Sequence, residues 1–400
     1  MMNSIKKYQW VGMVVIGFIA GALGACSKSD DYKKYLEGGE ITYTGKIDSV
    51  TVYSGHERVY VTGLFKADPK IEKLIVYWGN RADSVTVPIE RTSGIDTLQL
   101  YIPIEEGVHN FEFVTVDGEG NRSLSVFRTG TSYGNRYILG LINRPYNLAD
   151  YFAGDLAATI GWGGIDLTSG ATFTEVEFTN TEGKRIIQLD SIHVSESILK
   201  DYMPGSSLRY RTVFLPDTIS VDTFYSSYVS DIVPNLAYLR NISFPFQRAA
   251  YDGNRWGTPA GWTVNDAARN IGNGAYGGYE LRGVGGALSL EGGWGLPGVI
   301  NGKIYQTTNL QPGTYRITIS AIERGAAGSV HFAVAEGKAL PNEADLDGNT
   351  LVYTALPDNN ARTVEFTLSK AAEITVGFIG NMPDSGSYFK VIGDIVFEVL

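Results

Sequence analysis

The sequence predicts an all-β protein made of several domains. Its 400 residues include 48 Gly and 24 Tyr. Short runs of alternating apolar and polar residues, each closed by turn residues, recur through most of the chain. Helical periodicity is short wherever it occurs after the first 25 residues, and residues 190–202 are its best example. Together these features are typical of β-structure with frequent turns.

The first 25 residues have the three-part layout of a secretory signal. Lys6 and Lys7 precede an uncharged apolar run over residues 11–23, and small residues follow it. A membrane-spanning helix needs about 20 apolar residues, which is more than this run provides. We therefore expect residues 1–25 to be a cleaved export signal and not a lasting membrane helix.

The signal ends in Leu23-Gly24-Ala25-Cys26, which resembles the lipobox of bacterial lipoproteins. The resemblance implies that Cys26 is acylated and becomes the first residue of the mature chain. Residues 26–40 are then the acylated cysteine and a tether. Ser29-Asp30-Asp31 resembles the acidic tag that sends lipoproteins of the Bacteroidota to the outer face of the outer membrane. A solvated leader on a periplasm-facing anchor is the alternative.

Charge and cysteine content limit the possible functions. The chain has 33 basic and 43 acidic residues, for a net charge of −10. Nucleic-acid binding depends on clustered Lys and Arg, so a nucleic-acid partner is not expected. Cys26 is the single cysteine, which excludes a disulfide within the chain and a thiolate metal site.

Residues 41–131 are predicted to form an Ig/fibronectin-like sandwich, because short strand patterns recur at about ten-residue intervals. These patterns lie at residues 50–53, 58–63, 73–78, 84–89, 97–102, 111–116 and 123–127. Residues 117–121 have oxygen-bearing side chains at alternate positions, as a calcium loop has. They lack its distal glutamate, so a hairpin turn is the expected structure.

Residues 135–231 are predicted to form a second sandwich of the same kind. The pattern of residues 73–80 returns at residues 174–180, and that of residues 111–116 returns at residues 208–214. Tandem domains of one type are the most economical explanation of this rhythm.

The last region, residues 241–400, combines strand patterns with long Gly-rich connections, where binding groups are usually carried. Its Leu310-Gln311-Pro312-Gly313-Thr314-Tyr315 resembles the turn of galactose-binding-like jelly rolls, and residues 389–399 resemble their final strand pair. The whole layout resembles surface lipoproteins of the Bacteroidota that are built from domains of unknown function and often associated with glycan utilisation. This resemblance implies two sandwiches followed by a jelly roll.

Catalytic signals are weak throughout the chain. Residues 272–277 match the spacing G-x-G-x-x-G, but no parallel strand precedes them and no helix follows, as a dinucleotide site requires. The four His occur singly, and residues 345–349 are incomplete as a calcium loop. Paired carboxylates cannot be recognised in a sequence without their separation in space. We predict no enzyme activity and no cofactor; nothing in the sequence supports even a structural calcium ion.

A binding site is expected between residues 251 and 294, where planar and hydrogen-bonding side chains are densest. Aromatic rings cover the apolar faces of sugars, and polar side chains bind their hydroxyl groups. The candidate ligand-binding residues are Trp256, Trp294, Tyr276, Tyr279, Arg255, Asn254 and Arg282. Trp262, flanked by Gly261 and Thr263, is expected in the core instead.

The expected function is that of a non-catalytic glycan-binding lipoprotein of the outer membrane, within a system for polysaccharide capture and utilisation. The alternative is a structural or adhesive surface lipoprotein whose jelly roll binds a protein. An aromatic platform ringed by polar groups would favour a glycan, whereas a flat hydrophobic patch would favour a protein partner.

Overall fold

The structure, a computed structural model, describes residues 42–66, 68–283 and 285–400. The expected export signal, Cys26 and the rest of the tether up to residue 40 lie outside the described residues. The described residues form two compact units: those within 42–139 together with 217–223, and those within 140–216 together with 224–400. The predicted all-β class is confirmed, since strands account for nearly all regular structure in the described ranges.

The first unit is a sandwich of seven strands. They are β1 (Asp48–His56), β2 (Arg58–Phe65), β3 (Ile71–Trp78), β4 (Asp83–Pro88), β5 (Asp96–Pro103), β6 (Gly107–Asp117) and β7 (Val126–Tyr133). The order is β4-β3-β6-β7-β1-β2-β5, and β1 changes partners along its length. It pairs antiparallel with β2, and its last residues pair in parallel with β7.

Alternation along the strands produces the core of this sandwich. In β2, Val59 and Val61 are fully buried, while Tyr60 between them lies on the outer face. Successive side chains of a strand point to opposite faces, so this pattern fixes the register. Tyr60 lies between Tyr53 of β1 and Tyr101 of β5, with ring centroids 5.7 and 4.6 Å apart.

The turn after β6 is a hairpin turn, as predicted. Asp117 accepts hydrogen bonds at Oδ1 from the backbone N–H groups of Glu119 (3.0 Å) and Asn121 (2.8 Å). The described residues contain no group of three or more His, Cys, Asp or Glu that could hold a metal ion. The strand predicted at residues 123–127 begins later, at Val126, because continuous pairing with β6 begins there, after an isolated bridge between Arg122 and Val116.

Glu112 of β6 should make the first sandwich sensitive to acid. Arg81 binds its carboxylate with two hydrogen bonds of 2.7 and 2.6 Å, and Ser125 donates a third of 2.6 Å. The Arg81 hydrogen bonds are the main reason that the pKa of Glu112 falls from 4.5 to about 2. A depressed pKa stabilises the fold above pH 4.5, and this stabilisation is lost as pH falls from 4.5 towards 2.

We expect Glu112→Gln to lower the free energy of unfolding by about 1–2 kcal/mol at pH 7, because solvent around the half-exposed Arg81 screens the pair. The difference from the unmodified protein should disappear near pH 2. Urea unfolding across this pH range measures it, with the exposed Glu90→Gln as the matched control. A difference that does not change with pH would contradict the ion-pair explanation.

A short segment of later sequence, residues 217–223, belongs to the first unit. Asp222 accepts hydrogen bonds from Arg58 at 3.0 and 2.6 Å and from the backbone N–H of His56 at 2.8 Å. Asp217 accepts one from the Ser54 hydroxyl at 2.7 Å. The side chains of this segment thus complete the hydrogen bonding at the end of β1.

The second unit begins after a short helix, α1 (Asn135–Leu139), and its first part is another sandwich. The strands are β8 (Tyr146–Phe152), β9 (Ala157–Trp162), β10 (Ala171–Thr179), β11 (Arg185–Ser191), β12 (Glu196–Lys200), β13 (Leu208–Phe214), β14 (Phe224–Tyr225), β15 (Val229–Ile232) and β16 (Asn235–Ala237). A 3-10 helix (Leu167–Ser169) precedes β10. The sheets have the orders β12-β9-β8-β16 and β11-β10-β13-β14, with β15 also on β13.

This sandwich repeats the strand order of the first. The strands with matching sequence patterns, β3 with β10 and β6 with β13, hold the same places in their sheets. In the first sandwich the end of β1 pairs in parallel with β7, and in the second the end of β8 pairs in parallel with β16. Residues 190–202, the best candidate for helical periodicity, form no helix. This stretch includes β12, in which Ser197 and Leu199 are buried against β9 and Ile198 is exposed.

The jelly roll occupies the rest of the second unit. Its strands are β17 (Arg248–Tyr251), β18 (Trp256–Pro259), β19 (Thr263–Val264), β20 (Gly278–Arg282), β21 (Gly285–Gly292), β22 (Val299–Leu310), β23 (Gly313–Ile319), β24 (Ile322–Arg324), β25 (Ser329–Glu336), β26 (Val352–Ala355), β27 (Arg362–Leu368), β28 (Ala372–Met382), β29 (Ser387–Val391) and β30 (Ile395–Val399). A 3-10 helix (Glu343–Asp345) precedes β26.

Three sheets surround the core of the jelly roll. Their orders are β17-β18-β20-β21-β29-β24, β19-β22-β28-β25-β26 and β27-β23-β30. Leu288, Leu290 and Phe389 of the six-stranded sheet point into the core. The ring centroids of Phe378 and Phe389 lie 5.3 Å apart there. Its other face carries polar side chains. In the described part of the chain, no helix is both long and apolar enough to cross a membrane.

Candidate ligand-binding cleft

A cleft of about 630 Å³ lies on the polar face of the six-stranded sheet. Several strands that are distant in sequence contribute to it. The residues that line it are Arg255, Arg282, Gly283, Glu291, Trp294, Glu323, Tyr388 and Lys390. A concave site with aromatic and charged side chains is the usual form of a small-ligand site.

Strand alternation and register bring these side chains to one face. In β29, Ser387, Phe389 and Val391 are buried. Tyr388 and Lys390 between them point the other way, into the cleft. Residues that pair directly across strands share a face: Glu291 of β21 pairs with Tyr388, and Glu323 of β24 pairs with Lys390.

The floor of the cleft is a network of buried charges. Glu280 of β20 is only 1% exposed, and it pairs with Arg255 Nε at 2.7 Å and with Lys390 Nζ at 3.4 Å. Arg255 also forms an ion pair with Glu291, and Ser289 donates a hydrogen bond of 3.3 Å to Glu280. Two cations therefore balance two carboxylates, which is the condition under which charges can be buried.

Burial also alters the titration of the lining groups. It raises the pKa of Glu291, and the nearby charge of Glu280 adds to this effect although Arg255 opposes it. Burial likewise raises the pKa of Tyr388, whose hydroxyl donates a hydrogen bond of 3.1 Å to Glu323. The phenol of Tyr388 therefore stays protonated at neutral pH and keeps Glu323 in place.

Trp294 lies at the tip of a tight hairpin turn beside the cleft. Gly293 and Leu296 close the turn with two backbone hydrogen bonds of 3.1 and 3.0 Å. Both central residues have positive φ, +51° at Trp294 and +95° at Gly295, as in type I′ turns. A bulky aromatic residue with φ in this region is a strained outlier, and such outliers cluster at functional sites.

The indole of Trp294 is held in place although it is 67% exposed. A Cβ added to Gly386 would lie 2.9 Å from two atoms of the indole, so only glycine leaves room for the ring there. The strained turn therefore presents a large aromatic surface to solvent at the edge of the cleft.

The structure gathers three of the seven predicted ligand-binding residues, Arg255, Arg282 and Trp294, in the cleft. Trp256 is half-buried beneath Arg255, whose guanidinium lies 3.8 Å from the ring centroid. From this position the Trp256 ring supports the guanidinium of Arg255. Asn254 is exposed and Tyr276 is half-buried, and neither is among the residues that line the cleft.

The prediction for Tyr279 is wrong. It is 4% exposed and belongs to the hydrophobic core of the jelly roll. It alternates with Glu280 along β20, so it points to the opposite face of the sheet from the cleft. Trp262, expected in the core, is 6% exposed and packs there, and its Nε1 donates a hydrogen bond of 3.0 Å to the backbone oxygen of Asn241.

Five lining residues were not among the predicted ones: Gly283, Glu291, Glu323, Tyr388 and Lys390. The alternation of residues 387–391 indicates that Tyr388 and Lys390 share a face of a strand. Their position beside Glu291 depends on the pairing of β29 with β21, which are almost a hundred residues apart in sequence.

A second, larger groove of about 950 Å³ lies in the second unit, mainly on the outer face of sheet β12-β9-β8-β16. Leu148, Ile198 and Leu236 line it and are 44%, 49% and 41% exposed. At its edge, Arg240 pairs with Asp155 at 2.7 Å. This groove is more apolar than the cleft and has no exposed Trp among its lining residues.

Comparison with protein families finds two matches. Residues 26–224 match DUF4998, a domain of unknown function, and residues 240–377 match DUF5013, also a domain of unknown function. The first match covers the first sandwich and most of the second, ending before β15, and the second match lies in the jelly roll. Tyr388 and Lys390 of the cleft follow the end of the second match. The search of curated proteins gives no match.

Two solved structures of tandem fibronectin domains are similar to parts of the chain. The FN1–FN3 domains of chicken CNTN1 share 9% identity, with a TM-score of 0.28, over 49% of this chain and 70% of that one. A two-domain fibronectin type III segment of chicken tenascin shares 12% identity, with a TM-score of 0.20, over 48% of this chain and 100% of that one.

Proposed function

We propose that this chain is a non-catalytic glycan-binding lipoprotein. In this proposal a lipid on Cys26 anchors it in the outer membrane of a member of the Bacteroidota, facing the exterior, where it serves polysaccharide capture and utilisation. The observation that carries the proposal is the exposed indole of Trp294 beside a cleft lined by fixed charged groups. An aromatic face can cover the apolar C–H face of a sugar ring.

The floor of the cleft supplies what sugar hydroxyls require. A hydroxyl group both donates and accepts hydrogen bonds, so it needs acceptors and donors side by side. Glu291 and Glu323 offer carboxylate oxygens, while Arg255 and Lys390 offer N–H groups. Because ion pairs already hold Arg255 and Lys390, ordering them on binding costs little entropy.

The alternative proposal is an adhesive or structural lipoprotein that binds another protein. The observation that favours it is the apolar groove with exposed Leu148, Ile198 and Leu236. This groove lies mainly on the second sandwich, whereas the sequence-based alternative assigned protein binding to the jelly roll. The strained aromatic turn and the buried charge network favour the cleft as the more specialised site.

A glycan array probed with the purified protein tests the proposed function. We expect binding to a restricted set of oligosaccharides, and we expect each of these to be displaced by the same sugar free in solution. If a broad array shows no binding, the glycan-binding proposal is abandoned in favour of the protein-binding one.

The anchor is tested separately from the cleft. We expect Cys26→Ser to abolish acylation, so that the protein no longer partitions with the membrane fraction into detergent, because acyl chains supply the anchoring energy. Ser27→Ala, one residue away, should leave partitioning unchanged. Protease added to whole cells reports which face of the membrane the protein occupies. Unchanged partitioning of Cys26→Ser would refute the lipid anchor.

A further inference from the structure

The three cations that line the cleft differ in whether a carboxylate of the protein already pairs with them. Arg255 forms ion pairs with Glu280 and Glu291, and Lys390 forms one with Glu280. Arg282, at the end of β20, is exposed, and its side chain forms neither an ion pair nor a hydrogen bond with the described residues. It is therefore the one lining cation in this part of the structure whose charge is free to act on a ligand.

The position of Arg282 relative to Trp294 gives the cleft two different ends. Arg282 pairs with Gly285, the first residue of β21, whereas Trp294 follows the end of the same strand. β21 runs from the position of Arg282 towards that of Trp294, and its residues 285 and 291 are about 20 Å apart because the strand is extended. Gly283 lines the cleft beside Arg282, and a Cβ added there would meet nothing within 4 Å beyond its chain neighbours, so the cleft is open at this position.

The carboxylates of the cleft do not oppose an acidic ligand strongly. Arg255 and Lys390 neutralise Glu280, and Arg255 also binds Glu291. Glu323 lies on β24, three strands away from β20 in the sheet. The net charge of −10 belongs to the whole chain, and charges farther away than a Debye length of about 10 Å are largely screened.

We infer that the cleft selects glycans that carry an acidic group, a uronate carboxylate or a sulfate ester, and that the guanidinium of Arg282 binds this group. The inference rests on the proposed function and adds the class of glycan. A guanidinium matches the two oxygens of a carboxylate or sulfate with parallel N–H groups. Trp294 then covers a sugar ring elsewhere along the same chain.

Matched pairs of oligosaccharides test the inference with the purified full chain. One pair is an oligogalacturonate and its methyl ester, and the other is a sulfated galactan oligosaccharide and its desulfated form. The array is extended with such pairs on other backbones, and affinities come from calorimetry at low and high salt. We expect the acidic member of at least one pair to bind 10- to 100-fold more tightly, and this preference to decrease with salt. The preferred pair identifies carboxylate or sulfate as the group bound.

Variants assign the preference to a residue. Arg282→Gln should remove it by weakening only the acidic member, and Arg282→Lys should restore part of it, because lysine keeps the charge without the bidentate geometry. Arg248→Gln is the matched control, since Arg248 is an exposed arginine of the same domain that stacks on Tyr251 outside the cleft.

Each other outcome has a distinct meaning. Equal binding within all pairs, or tighter binding of neutral members, overturns the inference while glycan binding stands. A preference that survives in Arg282→Gln overturns the assignment to this residue. If no member of any pair binds, the proposed function itself fails.

Discussion

Replacing Trp294 with asparagine should separate glycan binding from stability. We expect Trp294→Asn to weaken binding of any glycan that the protein recognises by about 10- to 100-fold, because an aromatic contact of this kind contributes about 1–3 kcal/mol. The same change should leave the free energy of unfolding unchanged or raise it by up to about 1 kcal/mol. Asparagine tolerates the positive φ of this position, and Asn-Gly is a preferred pair in type I′ turns.

Trp262→Ala is the matched control, because Trp262 lies in the core of the same domain and is only 6% exposed. Its loss should cost about 3–5 kcal/mol of stability through the cavity that it leaves. Calorimetric titration and thermal unfolding of both variants measure the two effects. A Trp294→Asn variant that binds normally would remove the indole from the site, and one that unfolds would show that the ring has a packing role.

The fold could be predicted where strand patterns are local. Alternating residues in β2, β3, β6 and β13 identified strands, because buried and less buried residues alternate over at least part of each. Alternation did not reveal the strand within residues 190–202. A strand end, a turn and β12 follow one another so closely there that the apolar residues resemble helical spacing. The late start of β7 was missed because it depends on pairing with β6.

The site could be predicted only in part, for the same reason. Arg255, Arg282 and Trp294 belong to one Gly-rich stretch, and the glycines on both sides of Trp294 already indicate a tight turn. Lys390 and Glu323 join them through pairings of β29 with β21 and β24 that no local pattern contains. Tyr279 was misassigned because the register of β20 decides which of its side chains face the core.

The buried charges of the cleft were not foreseen at all, and removing one of them is expected to cost much of the stability of the domain. Glu280 is held by Arg255, Lys390 and Ser289 in a site that is 1% exposed. We expect Glu280→Gln to cost about 3–5 kcal/mol, because it leaves Lys390 buried without its carboxylate partner. Urea unfolding measures the loss, and hydrogen exchange should show it as faster exchange in β20, β21 and β29.

Two further variants distinguish loss of charge balance from loss of shape. Glu280→Gln combined with Lys390→Met removes one charge of each sign, so we expect it to recover part of the stability, with a coupling energy above about 1 kcal/mol. Glu365→Gln breaks the pair with Arg316 on an exposed surface of the same domain, and it should cost less than about 1 kcal/mol. If the double variant is as unstable as the sum of its single changes, Glu280 and Lys390 act independently. The cleft floor would then owe its rigidity to packing, and Arg255 would be the residue to test next.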